Sequence, residues 1–209
     1  MRRLPLIGLG FVLASQVWAA PSSQVAWTPE RLKFVKSGDP ARGKTLMGVC
    51  AGCHNDVSAN PKLEGQLATY LYKQLQDYKN NSRKDPSTAM NGVAPTLSDQ
   101  DMADLAAWYA SQEPMKGVGG ADDPTGIAAN GDGQRMEPAC AACHGGSGQG
   151  EKVDSPRLAG QKLDYLEQTL LAYQSGARGN DVYARMRLIA GKLSDQEIKQ
   201  LAQYYAKLK

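Results

Sequence analysis

Two short strings, Cys50-Ala51-Gly52-Cys53-His54 and Cys140-Ala141-Ala142-Cys143-His144, hold all four cysteines and both histidines of the chain. The C-x-x-C-H spacing sets two thiols on one helical turn and a histidine directly after the second. This is the pattern by which a haem is bonded through two thioethers and ligated at its iron by the histidine. Two covalently bound haem c groups are therefore expected, on Cys50 and Cys53 and on Cys140 and Cys143, with His54 and His144 as axial iron ligands. The chain has only these two histidines, so neither iron can take a second imidazole from it. Two other chemistries compete. Zinc would need a tetrahedron from separated ligand pairs, and a histidine next to the second cysteine is badly placed for the same ion. A disulfide across each C-x-x-C explains the cysteines but leaves the histidines without a role.

The motif is part of a longer duplication. Pro61-Lys62-Leu63-Glu64-Gly65-Gln66 recurs as Pro156-Arg157-Leu158-Ala159-Gly160-Gln161. Tyr70, Leu71, Leu75 and Tyr78 recur as Tyr165, Leu166, Leu170 and Tyr173, and Leu97-Ser98-Asp99-Gln100 recurs as Leu193-Ser194-Asp195-Gln196. Both copies read as helical. Apolar positions at helical spacing predict helices over 67–80 and 163–175. Ser98-x-x-Asp101 and Ser194-x-x-Glu197 read as capping boxes that open the last helix of each copy. Asp39-Pro40 reads as an N-cap followed by the first helical residue. No alternation predicts a strand. The expected organisation is a leader over 1–20, an N-terminal extension over 21–37, one unit over 38–112, a Gly- and Pro-rich linker over 113–124 and a second unit over 125–209. Each unit is small for a purely apolar core, so a haem bonded into it should be structural as well as functional. The tyrosines near each unit's end read as core.

The leader expectation rests on Arg2 and Arg3, an apolar run over 4–13 and small residues ahead of a cut after Ala19 or Ala20. That run is too short to span a bilayer. It predicts export to the periplasm. The formal charge of +3 includes the two leader arginines. It makes no case for nucleic acid or an anionic membrane as partner.

Each iron still needs a ligand opposite its histidine. Methionine gives the ligand set of electron-transfer haems c. Met47 and Met136 lie too close before the motifs, Met102 reads as core, and Met115 has no repeat equivalent. Met90 and Met186 each stand seven residues before their Leu-Ser-Asp-Gln string. They are the expected sixth ligands, with lysine or water as the fallback. A haem histidine commonly donates its other ring N–H to a fixed acceptor. The carbonyls of Pro61 and Pro156 are placed for this, although a proline there is equally read as a turn.

Taken together these residues resemble the dihaem cytochrome c4 family, over about residues 38–209. The shared pattern is C-x-x-C-H, P-x-L-x-G-Q, Y-L…L…Y, a methionine, then L-S-D-Q. The resemblance implies an all-α chain of two tandem class I cytochrome c domains, each wrapped around one covalent haem c. It implies that the Pro61 and Pro156 carbonyls hold the histidines, and that the domains pack about a pseudo-twofold with haem propionates close together. It further implies a periplasmic electron-transfer protein rather than an enzyme, since six-coordinate iron leaves no open position for substrate. Expected partners are redox proteins: a donor dehydrogenase or cytochrome complex, and an acceptor oxidase or reductase, with any membrane association made through a partner. The alternative is a dedicated electron-accepting subunit of a periplasmic dehydrogenase, for example in thiosulfate or sulfide oxidation. A dihaem peroxidase is disfavoured. Two departures stand out: Asn55-Asp56-Val57 where a Gly-rich loop is commoner, and the added N-terminal segment with Trp27 and Phe34. Arg83, Lys84, Arg178, Arg185 and Arg187 read as a docking surface, as propionate partners, or as ordinary solvated charge.

Overall fold

The computed structural model describes residues 27–209 except Lys152. The expected leader, and residues 21–26 of the extension, lie outside the described residues. The described chain is helical. Its only β-type pairings are two isolated bridges, Asp132 with Glu137 and Glu151 with Ser155.

The first half runs α1 (Pro29–Lys36), α2 (Pro40–Leu46), α3 (Gly48–Ala51), α4 (Ala68–Lys79), α5 (Ala89–Val93) and α6 (Asp99–Ala110). The second runs α7 (Ile127–Asn130), α8 (Ala141–His144), α9 (Leu163–Gln174), α10 (Arg185–Ala190) and α11 (Asp195–Lys207). Both capping boxes form: Ser98 and Ser194 accept from the backbone N–H of Asp101 and Glu197, whose carboxylates reach back to the cap. Asp39 caps α2 through the N–H groups of Ala41 and Arg42, with Pro40 at its first position.

Helix α1 is not expected from the sequence pattern, yet its start signals are present: Thr28 as N-cap, Pro29 at the first turn and Glu30 near the positive end of the helix dipole. It packs on α4 and α6 through buried Val35 and through Phe34, whose ring meets Tyr72 edge-on at 6.0 Å.

Each half has its own core. Val35, Leu71, Tyr72, Met102, Leu105 and Tyr109 anchor the first; Ile127, Leu166, Leu193, Ile198, Leu201 and Tyr205 anchor the second. In the first half α2 packs tightly on α6. A Cβ on Gly43 would overlap the Asp104 carbonyl, so only glycine permits this approach. The linker is tied to both halves. Met115 N–H donates to the Glu64 carbonyl in the first, and Gly117 N–H to the Leu208 carbonyl at 2.9 Å in the second.

The halves meet through contacts exchanged in pairs, as a pseudo-twofold axis requires. The Gln66 carboxamide bonds both backbone groups of Arg157, at 2.8 and 3.0 Å. The Gln161 carboxamide bonds both backbone groups of Lys62, at 2.9 and 3.0 Å. Arg83 donates to the Tyr165 hydroxyl at 3.1 Å, and Arg178 to the Tyr70 hydroxyl at 3.2 Å. Each arginine also lies over a tyrosine of its own half, Tyr78 or Tyr173. One part of the seam breaks the symmetry. Lys73 Nζ bonds the Asp77 carboxylate at 2.6 Å and the Asn180 carbonyl at 2.7 Å, and Asn180 Nδ2 bonds Asp77 at 2.8 Å. All three are buried, and the repeat places Gln168 and Ala172 where this first-half pair stands.

Candidate functional site

The two C-x-x-C-H strings take the same local shape. In the first, Cys50 lies in α3, and the backbone N–H groups of Cys53 and His54 both return to the Cys50 carbonyl, at 3.1 and 2.8 Å. In the second, Cys143 and His144 return to the Cys140 carbonyl at 3.2 and 2.9 Å. One tight turn therefore presents two sulfurs and an imidazole together. All four cysteines are free of disulfides. Burial pushes the Cys140 thiol up to about 11 and moves Cys50 the same way. A raised thiol is the opposite of the lowered pKa that activates a redox cysteine, so neither Cys50 nor Cys140 has that environment. The hydroxyls of Tyr109 and Tyr205, buried near each domain's end, face Cys50 and Cys140.

The two imidazoles are held alike. His54 Nδ1 lies 2.9 Å from the Pro61 carbonyl, and His144 Nδ1 lies 2.9 Å from the Pro156 carbonyl. Burial, the larger influence, keeps both rings below the usual histidine range; the carbonyls act in the other direction. A neutral ring that donates from Nδ1 to a carbonyl keeps its lone pair on Nε2, the state a metal requires. The chain beyond each proline is anchored in turn. Gly65 and Gly160, both at positive φ, send their N–H groups to the Tyr109 and Tyr205 carbonyls at 2.8 and 2.9 Å.

Met90 and Met186 lie near the starts of α5 and α10, each two residues after a non-glycine in the left-handed region: Thr88 at φ 62° and Ala184 at φ 56°. An aspartate ties each loop. Asp85 accepts from Met90 N–H at 3.1 Å, and Asp181 from Arg187 N–H at 2.9 Å. Both methionines are half-buried, and Met90 packs on the first core. Of the others, Met102 is fully buried core as expected. Met115 is buried too, with its sulfur 3.5 Å from Gln161 Nε2. Met136 is exposed.

The basic residues divide. Arg178 is buried at the seam with Asn180, Gln74 and Tyr70, and Arg83 sits beside it on Gln74 and Tyr165, so the solvated-surface reading fails for these two. Arg185 pairs with Asp154 and Arg187 with Asp181. Lys84 is exposed. The Asn55 loop that replaces a Gly-rich turn is gripped from the second half, where Lys162 Nζ bonds the Asn55 carbonyl and, at 2.7 Å, the Ser58 carbonyl. The glutamines of P-x-L-x-G-Q are visible in the sequence as a repeat, but nothing there shows that each reaches into the other half.

The donor set fits haem c twice over. Each half offers two free sulfurs, one imidazole with an available Nε2, and a methionine on a separate loop. Arg83 and Arg178 contact neutral oxygens and tyrosine faces at the seam. Two helical units with one such site each define a dihaem c-type cytochrome.

Known proteins share this arrangement. The family model "Cytochrome c" matches residues 40–113 and again 128–209. A cytochrome c4 of Thiocapsa roseopersicina is 39% identical over 182 residues, covering 80% of this chain and 91% of its own. A "Thiosulfate dehydrogenase electron acceptor" of Stutzerimonas stutzeri is 32% identical, covering 97% of this chain and 93% of its own. The crystal structure of reduced recombinant cytochrome c4 from Pseudomonas stutzeri superposes with a TM-score of 0.76 at 34% identity, covering 83% of this chain and 100% of that one. The chain belongs to the dihaem cytochrome c4 family and carries two covalently bound haem c groups.

Proposed function

We propose that this protein is a periplasmic electron carrier whose two domains, over 38–112 and 125–209, each hold one low-spin haem. Cys50 and Cys53, and Cys140 and Cys143, form the thioethers. His54 and Met90 ligate the first iron; His144 and Met186 ligate the second. The haems supply one-electron chemistry when bound. The chain's own part would be to fix the imidazoles through Pro61 and Pro156 and to offer a methionine from a separate loop of each domain. With His54 and Met90 on one iron and His144 and Met186 on the other, no iron position would be left for substrate, which supports a carrier and not an enzyme. The observation that carries this reading is the repeated 2.9 Å contact from each histidine Nδ1 to a proline carbonyl. No helix among the described residues is long and apolar enough to cross a membrane. This is compatible with the export that the N-terminal sequence predicts.

A redox titration of the haem-loaded protein, followed by absorption and electron paramagnetic resonance, tests it. Two low-spin, high-potential centres are expected. A high-spin or strongly low-potential centre would remove the methionine from that domain.

A second reading is a dedicated acceptor for a thiosulfate-oxidising dehydrogenase. One observation favours it. An alignment covering 97% of the chain must include α1, whereas the cytochrome c4 match covers 80%. Rapid reduction by a thiosulfate dehydrogenase turning over thiosulfate, coupled with stable co-purification, would select this reading. Slow reduction together with fast oxidation by a terminal oxidase would select the general shuttle.

A further inference from the structure

The glutamines that join the domains bind the same peptide units that hold the histidines. In the first domain, the Pro61 carbonyl accepts from His54 Nδ1 at 2.9 Å. The N–H of that same peptide unit, on Lys62, donates to Gln161 Oε1 of the second domain at 2.9 Å. In the second domain, the Pro156 carbonyl accepts from His144 Nδ1 at 2.9 Å. The N–H of that unit, on Arg157, donates to Gln66 Oε1 of the first domain at 2.8 Å. Each histidine is thus linked through one peptide group to a carboxamide in the other domain.

The carboxamides are well placed to act as fixed acceptors. Both glutamines are 4% exposed. Each Oε1 also accepts the N–H of its own following residue, Leu67 or Lys162, at 3.0 and 2.9 Å. Each Nε2 donates across the seam to the Arg157 or Lys62 carbonyl. Neither amide can turn away without losing several bonds at once.

A peptide group is one conjugated unit. Donation from its N–H moves charge onto its oxygen, so hydrogen bonds made through it reinforce each other. A stronger acceptor at Nδ1 makes a ligating imidazole more basic and fixes its orientation. A more basic imidazole favours ferric over ferrous iron.

We infer that Gln161 sets the potential of the first-domain haem and Gln66 that of the second, each as a positioning residue acting across the domain boundary. The inference rests on the histidine ligation proposed above. Domain docking and haem potential are then one property: the seam that joins the domains also adjusts both irons.

The test uses the full haem-loaded chain with Gln161→Leu and Gln66→Leu. Leucine removes the acceptor. The potentials are read by titration, each assigned through its own haem methyl resonances. The histidine Nδ1–H resonances are read by NMR in the ferrous protein. In Gln161→Leu, the first-domain potential should rise and the His54 Nδ1–H resonance should move upfield, with His144 unmoved. Gln66→Leu should give the mirror result. Gln161→Glu keeps an acceptor for Lys62 N–H and should hold the His54 resonance downfield. The inference is overturned if each leucine variant moves its own domain's centre, moves both alike, or moves neither. Should one leucine variant fail to load haem, the other and Gln161→Glu still decide. Wild-type irons lacking histidine ligation would sink the ligation reading itself. Histidine-ligated wild-type irons without a crossed shift would sink only the relay.

Discussion

Met90 and Met186 illustrate what one side chain does in this framework. Each is delivered by a short helix that starts just after a left-handed non-glycine residue, Thr88 or Ala184, a conformation that is unfavourable unless its surroundings impose it. Aspartate bonds at 3.1 and 2.9 Å supply that constraint. A thioether on iron raises the potential relative to harder ligands. Met90→Ala should therefore turn one of two centres high-spin and lower its potential, with the second unchanged; Met186→Ala should do the converse. Absorption and electron paramagnetic resonance spectra of the two variants check this. The ligand candidates are legible in the sequence because the repeat leaves two equivalent methionines. The loop strain is not, since neither Thr88 nor Ala184 is a residue type that announces a positive φ.

At the scale of the element, two helix features carry measurable consequences. Gly43 lets α2 approach the α6 backbone at Asp104. Gly43→Ala should force the helices apart and cost about 1–3 kcal/mol of first-domain stability, as overpacking does. Chemical denaturation followed at the first-domain haem would report it. The cap of α11 is pH-sensitive. Hydrogen bonding from Arg135, and next from the Ser194 backbone, holds the Glu197 carboxyl down to about 2. An unfolded chain takes up that proton near 4.5. The group's stabilising effect is full above about 4.5 and disappears as pH falls through about 2. Glu197→Gln keeps an oxygen for the Ser194 N–H but loses the charge paired with Arg135, and should cost up to about 1 kcal/mol at neutral pH, in the range of a partly exposed ion pair. The gap to wild type should close between pH 4.5 and 2 in acid-denaturation curves. Both capping boxes are readable as Ser-x-x-Asp and Ser-x-x-Glu, because a cap is local chemistry. Helix α1 is harder to read, although Thr28-Pro29-Glu30 carries the same kind of signal. Its apolar contacts, Phe34 and Val35, are met by Tyr72 and by α6, so its partners are distant in sequence.

At the scale of the whole molecule, duplication explains the reciprocal contacts, and the departures from it explain why the halves differ. The repeat shows two like domains. It does not show that Lys73 and Asp77 of one would be buried on Asn180 of the other, because a seam depends on residues with no local pattern. Burial, the larger influence, lowers the Lys73 pKa, and Asp77 opposes it. An ion pair of this kind is costly to break from one side and cheap to replace as a whole. Lys73→Met leaves Asp77 and Asn180 buried without the ammonium and should cost about 3–5 kcal/mol. Lys73→Met with Asp77→Leu removes both charges and should recover most of that loss. Calorimetry of the haem-loaded protein distinguishes the cases. The single variant should separate one transition into two as the seam weakens, and the double variant should restore a single one. A single variant that melts like wild type would mean that the reciprocal glutamine and arginine contacts suffice to hold the domains together. The buried pair would then set the asymmetry of the seam without contributing to its strength.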